Sequence, residues 1–76
     1  MNKERRKLIQ VVIDRIEELK ADLETAVEDE QAYLDSIPEN LMNSERYEKA
    51  EDAVGNLESA MDSLDDAEEA LEEAMA

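Results

Sequence analysis

The chain has 76 residues, 23 of them acidic against 8 basic, with no cysteine or histidine and a net charge of −15. That length holds one small domain, which buries only about 60% of the surface its unfolded form exposes. Disulfides, thiolate chemistry, most zinc sites and imidazole-based catalysis are excluded together, leaving helical regularity or self-association to reinforce the core.

Lys3, Arg5, Arg6 and Lys7 come before an apolar patch running from Leu8 to Ile16. Basic then apolar is the order of an export signal, but Gln10, Asp14 and Arg15 interrupt the patch and no small-residue cleavage site follows. The longest apolar run, Val11-Val12-Ile13, falls far short of the ~18 residues of a membrane span. A cytoplasmic protein is expected (in the host cytoplasm, should the chain be phage-encoded).

High charge with few aromatics is common in disordered chains. Here the 42% of apolar residues are placed periodically. In the first half they fall at Ile9, Val12, Ile16, Leu19, Leu23, Ala26, Tyr33 and Ile37, in steps of three and four, with Glu30 in the one vacant slot. That is a heptad seam, and it predicts a helix over about residues 3–36. Pro38 disfavours helix at the residue before it, so the first helix stops near Ile37. Pro38 also suits the start of a single turn reaching Met42, in a connection over 37–43. Asn43 or Ser44 then caps a second helix over about 44–75, with Glu45 and Glu48 favourably placed in its first turn. The second seam runs Tyr47, Ala50, Val54, Leu57, Met61, Leu64, Leu71 and Met75, with Glu68 in the vacant slot.

So short a connection makes the helices antiparallel neighbours. The expected fold is all-α: residues 1–76 form one coiled-coil-like two-helix hairpin. Folding the seams about Met42 sets Ile37 by Tyr47, Leu23 by Met61, Leu19 by Leu64 and Ile9 by Met75. The Lys3 to Lys7 cluster then lies near Glu69, Glu72 and Glu73, so that opposite charges hold the open end. Glu68 reaches across the seam edge towards Arg15 or Lys20. Ala53, Ala60, Ala67 and Ala74 recur every seven residues beside the second seam, a stripe that admits close approach of another helix. Gly55, also beside the seam, is a tolerated surface position or a close-contact point for a partner.

Helix 1 carries more apolar residues than one seam absorbs. Leu8 and Val11 lie on one flank, and Ile13, Val27 and Leu34 on the other. Each such side chain gains about 1.5–3 kcal/mol on burial. These five are the expected self-association surface, pairing two hairpins as a homodimer in a four-helix bundle, or else a docking surface for a different protein.

No constellation points to catalysis, because paired carboxylates need a pocket that shifts their pKa values and a hairpin offers little concavity. No cofactor is expected. Glu28-Asp29-Glu30 and Asp62 with Asp65-Asp66 cluster oxygens, but no segment has the Asp-x-Asp-x-Asp-Gly spacing that wraps calcium; solvated carboxylates are the plainer reading and no metal is assigned. The acidity itself is uneven. Residues 1–20 hold six basic and four acidic side chains, net +2; residues 21–50 hold two and nine, net −7; residues 51–76 hold none and ten, net −10. Such a charge disfavours direct nucleic-acid binding, which is not expected, and exceeds the magnitude of about 2–8 that solubility calls for. Glu51, Asp52, Glu58, Asp62 and Asp65 are the expected partner-binding face, with Asp66, Glu69, Glu72 and Glu73 beyond them. The partner expected is a protein with a basic, nucleic-acid-binding surface.

The stretch Tyr33-Leu-Asp-Ser-Ile-Pro-Glu-Asn-Leu41, then Ser44-Glu-Arg-Tyr-Glu-Lys-Ala-Glu51, with the basic start Asn2-Lys-Glu-Arg-Arg-Lys7, resembles a family of small acidic proteins of bacterial genomes and prophages. The Pro-Glu-Asn-Leu and Ser-Glu-Arg-Tyr-Glu-Lys segments carry the likeness; the acidic heptads are generic. The resemblance implies a phage or mobile-element setting, in which small acidic proteins often inhibit nucleases or host defence. It brings no functional residues with it. The same segment has a local physical reading as the turn, with Arg46 and Lys49 pairing to Glu39, Glu45 or Asp35. The function expected is therefore inhibition, of anti-CRISPR or anti-restriction type, by nucleic-acid mimicry. The alternative is a non-enzymatic adaptor that binds through the apolar flank of helix 1.

Overall fold

Asn2 starts the first helix: its side-chain oxygen accepts the Arg5 backbone N–H at 2.9 Å, satisfying one of the donors a helix N-terminus leaves open. In the computed structural model, which describes residues 1–76, helix α1 spans Lys3–Asp35 and helix α2 spans Glu45–Met75. Between them lies one 3-10 turn, Glu39–Leu41. The chain is an all-α helical hairpin.

The connection is closed by local hydrogen bonds. Ser36 donates its hydroxyl to the Tyr33 carbonyl at 2.6 Å and its N–H to the Ala32 carbonyl at 3.1 Å. Helix α1 thus ends at Asp35, before the residue that Pro38 would constrain. Pro38 itself precedes the 3-10 turn, its carbonyl accepting the Leu41 N–H at 2.9 Å. Ser44, not Asn43, caps α2, accepting the Tyr47 N–H at 3.2 Å. Lys49 pairs locally with Glu45 at 3.1 Å, one helical turn away.

The hairpin is a rod of 59 × 15 × 13 Å between Cα extremes, with a radius of gyration of 17.4 Å. A compact domain of this length would measure about 11 Å. The interior is correspondingly thin: only Ile13, Ile16, Ala50, Val54 and Glu68 are buried.

That interior corrects the predicted seam of α1. Ile9, Ile16, Leu23, Glu30 and Ile37 face inward as expected. Alternating with them, however, are Ile13, Lys20, Val27 and Leu34, while Val12, Leu19 and Tyr33 are exposed and only Ala26 of the predicted column is half-buried. Ile13 is 5% exposed, and Val27 and Leu34 are half-buried, whereas Leu19 is 54% and Tyr33 44% exposed. Ile13, Val27 and Leu34 are thus drawn into the hairpin and do not form a free self-association flank. Leu8 and Val11, at 65% and 46%, remain open. The seam of α2 is the predicted one, from Tyr47 to Met75.

The physical reason lies in Glu68, buried in the α2 seam. With Lys20 turned inward, its ammonium sits 3.5 Å from Glu68 and 2.6 Å from Asp65. Turning Leu19 inward instead would leave a buried carboxylate with no cation, which costs more than exposing one leucine. At the open end Lys3, Arg5, Arg6 and Lys7 make no direct ion pair with Glu69, Glu72 or Glu73, so any attraction between the two charged ends acts across a longer distance.

Candidate functional site

The ion pair of Lys20 with Asp65 fixes which flanks share a side of the rod. On α1 the column Ile13, Lys20, Val27 and Leu34 borders Gln10, Glu17, Glu24 and Gln31 at helical spacing. On α2 the column Met61 and Glu68 borders Glu51, Glu58, Asp65 and Glu72. Because Lys20 meets Asp65, these borders line one side. The next columns outward on α2 hold Asp62 and Glu69, then Asp52, Asp66 and Glu73. All nine carboxylates predicted for partner binding are exposed, and they occupy three adjacent columns of one helix face. Asp65 is the exception in charge, since Lys20 partly neutralises it.

The opposite side has another character. Here α2 shows Ala53, Ala60, Ala67 and Ala74, then Asn56, Ser63 and Ala70, with no charge over that length. Helix α1 shows the exposed Leu8, Val11, Val12, Leu19 and Tyr33; its charges there are Arg5 at the start of the Val12–Leu19 column, Glu18 in line with Val11, and Arg15, Asp22 and Asp29 along the outer edge. The rod is two-sided.

On the acidic side, Glu24, Val27, Glu58, Met61 and Asp62 line an open groove of about 350 Å³. Its floor is apolar and its walls are carboxylate. Such a trough fits the alkyl stem of a lysine or arginine, with the charged head between Glu24, Glu58 and Asp62. Glu24 and Glu17 were not among the sequence-predicted binding residues. Their heptad relation to Gln10 and Gln31 was visible, but their side of the rod depended on which column turned inward.

On this side Lys20 sits among carboxylates. The hydrogen bond that Lys20 donates to Asp65 raises the ammonium pKa above its ordinary value of 10.5; partial burial opposes this, and the charges of Asp65, Glu68 and Glu17 reinforce it. One oxygen of Glu68 is buried without a hydrogen bond, its only close cation being Lys20 at 3.5 Å. That arrangement belongs to the hairpin's interior rather than to a ligand site. No set of three carboxylates converges as a metal centre requires, so the oxygens of Glu28 to Glu30 and of Asp62, Asp65 and Asp66 are spread along the helices. No helix is long and apolar enough to cross a membrane. No family model, curated protein or solved structure matches the chain.

Proposed function

We propose that the chain is a non-enzymatic binding protein whose carboxylate side docks on the basic, nucleic-acid-binding surface of another protein and inhibits it by occupying that surface. The supporting observation is the segregation of charge on a straight scaffold. Residues 51–76 carry ten acidic side chains and no basic one, and their helix rises about 39 Å at 1.5 Å per residue. One negative charge every ~4 Å compares with one per ~3.4 Å along a single nucleic-acid strand. The groove between Glu24, Glu58 and Asp62 supplies a seat for a basic side chain at mid-rod. The resemblance to small acidic phage-type proteins agrees with an inhibitor of nucleic-acid-handling or defence proteins, as an analogy of context.

The test uses the immobilised chain and a bacterial lysate. Proteins retained at low salt are expected to elute with short duplex DNA and with rising salt. A variant carrying Asp62→Lys, Asp66→Lys and Glu69→Lys is expected to retain none of them. Retention that survives both DNA competition and charge reversal overturns the reading. It would favour the second one, an adaptor binding a different protein through the exposed Leu8, Val11, Val12 and Leu19.

A further inference from the structure

We infer that the apolar side of the rod, where α2 is uncharged, is the interface of a homodimer in which the two-fold axis runs along the rod, placing α1 of each copy against α2 of the other.

Area is the first argument. The lone hairpin exposes 5719 Å², whereas a folded monomer of its 8.6 kDa mass exposes about 4,700 Å² by the usual scaling. The surplus, roughly 1,000 Å², is close to the ~800 Å² that each partner contributes to a stable interface. The apolar part of that surplus is concentrated on one side, where Leu8, Val11, Val12, Leu19 and Tyr33 are between 37% and 65% exposed.

Size complementarity chooses among the symmetric arrangements. On this side α1 is large and α2 is small: leucine, valine and tyrosine beside a stripe of alanines. An axis across the rod would set α1 on α1, large on large, and leave the two alanine stripes facing across a void. An axis along the rod sets large on small in every layer, which is how close-packed layers interdigitate. Because Lys20 stands level with Asp65, Leu19 of one copy comes level with Ala67 of the other.

Charge is consistent with that choice. Arg15 makes no ion pair within the chain, and it lies on the edge of this side. With the axis along the rod it comes level with Asp66 and Glu73 of the second copy. The basic start of α1, with Arg5 in line with Val12 and Leu19, meets the negative end of the other copy's α2. The acidic sides then face outward, with two helix layers of ~8–10 Å spacing between them. That separation is of the order of the ~8 Å Debye length at physiological ionic strength or greater, so the repulsion of two −15 chains is screened. Pairing rests on the other side of the rod from the docking proposed above and shares with it only Asp66 and Glu73, at the edge between the two sides. Each dimer would present two acidic faces back to back.

Sedimentation equilibrium of the full chain at about 10–100 μM, where a Kd of ~1 μM gives mostly dimer, is expected to approach twice the chain mass, more closely as salt rises. Leu19→Glu is expected to give a monomer that keeps its helical circular dichroism, since residue 19 is exposed in the hairpin, and Arg15→Glu to weaken dimerisation at least several-fold. The acidic-side variant Asp62→Lys is expected to remain a dimer, which separates failure here from failure of the docking proposal. Cysteine is absent from the chain, so single cysteines report geometry cleanly. A mixture of Leu19→Cys and Ala67→Cys chains is expected to form the mixed disulfide on mild oxidation, and Leu19→Cys alone is not. A monomer at 100 μM overturns the dimer; efficient cross-linking of Leu19→Cys to itself overturns the orientation.

Discussion

Glu68 and Lys20 occupy seam positions where a coiled coil of this regularity would otherwise carry apolar side chains. Glu68 is 9% exposed, with one oxygen lacking a hydrogen bond, and its retention costs stability. Glu68→Leu is expected to stabilise the hairpin by on the order of 1 kcal/mol, because the leucine gains burial while Lys20 keeps Asp65; urea denaturation would read this directly. Lys20→Met alone is expected to destabilise, since it strands the carboxylate. The pH dependence has a definite sign. The Lys20 pKa is raised in the folded chain, so its contribution is fully present below 10.5, its ordinary value, and is lost as pH rises through the higher folded value. The difference in melting temperature between the native chain and Lys20→Met should therefore stay constant up to about pH 10 and shrink above it.

Gly55 offers a contrasting single-residue case. It lies in the middle of α2 with ordinary helical φ, and a methyl group added there meets nothing within 4 Å. The chain itself gives no structural reason for a glycine at this exposed position. Gly55→Ala is expected to add about 0.5–1 kcal/mol, an increase of roughly 4–8 °C per kcal/mol in a domain of this size. A variant that gains this stability but loses partner binding would point to a close contact made only in a complex.

At the scale of elements, each helix start rests on one capping side chain. Ser44→Ala removes the acceptor for the Tyr47 N–H and should cost about 1 kcal/mol. The two helices themselves, the stop before Pro38 and the seam of α2 were all legible from spacing, because α2 has only one apolar column that can complete its heptad. Asn2, the cap of α1, was legible in kind, being an asparagine just ahead of the helix. The seam of α1 was not legible. Its fixed positions Ile9, Ile16, Leu23, Glu30 and Ile37 are completed equally well by the column through Val12 or by the column through Ile13. Ile13→Ala is accordingly expected to cost about 2–4 kcal/mol, and Val12→Ala much less in a monomeric background such as Leu19→Glu.

For the whole molecule, charge and shape act together. A rod with so thin an interior carries −15, and its self-repulsion opposes folding. Raising salt from 10 mM to 500 mM, which shortens the Debye length from about 30 Å to a few Å, is expected to raise the melting temperature. A melting temperature that falls with salt would mean that ion pairs, not repulsion, dominate.

Composition and spacing alone determined the absence of cysteine and histidine chemistry, the two helices, their antiparallel connection and the gradient of charge, because each follows from local backbone preference or from counting. Which column of α1 turns inward was decided only in the tertiary structure. Two columns of similar hydrophobicity compete there, and the choice depends on a buried carboxylate from the other helix that needs Lys20. That single choice also decides which residues of α1 join the acidic flank of α2 and which lie beside its alanine stripe, and hence how each candidate binding face is completed.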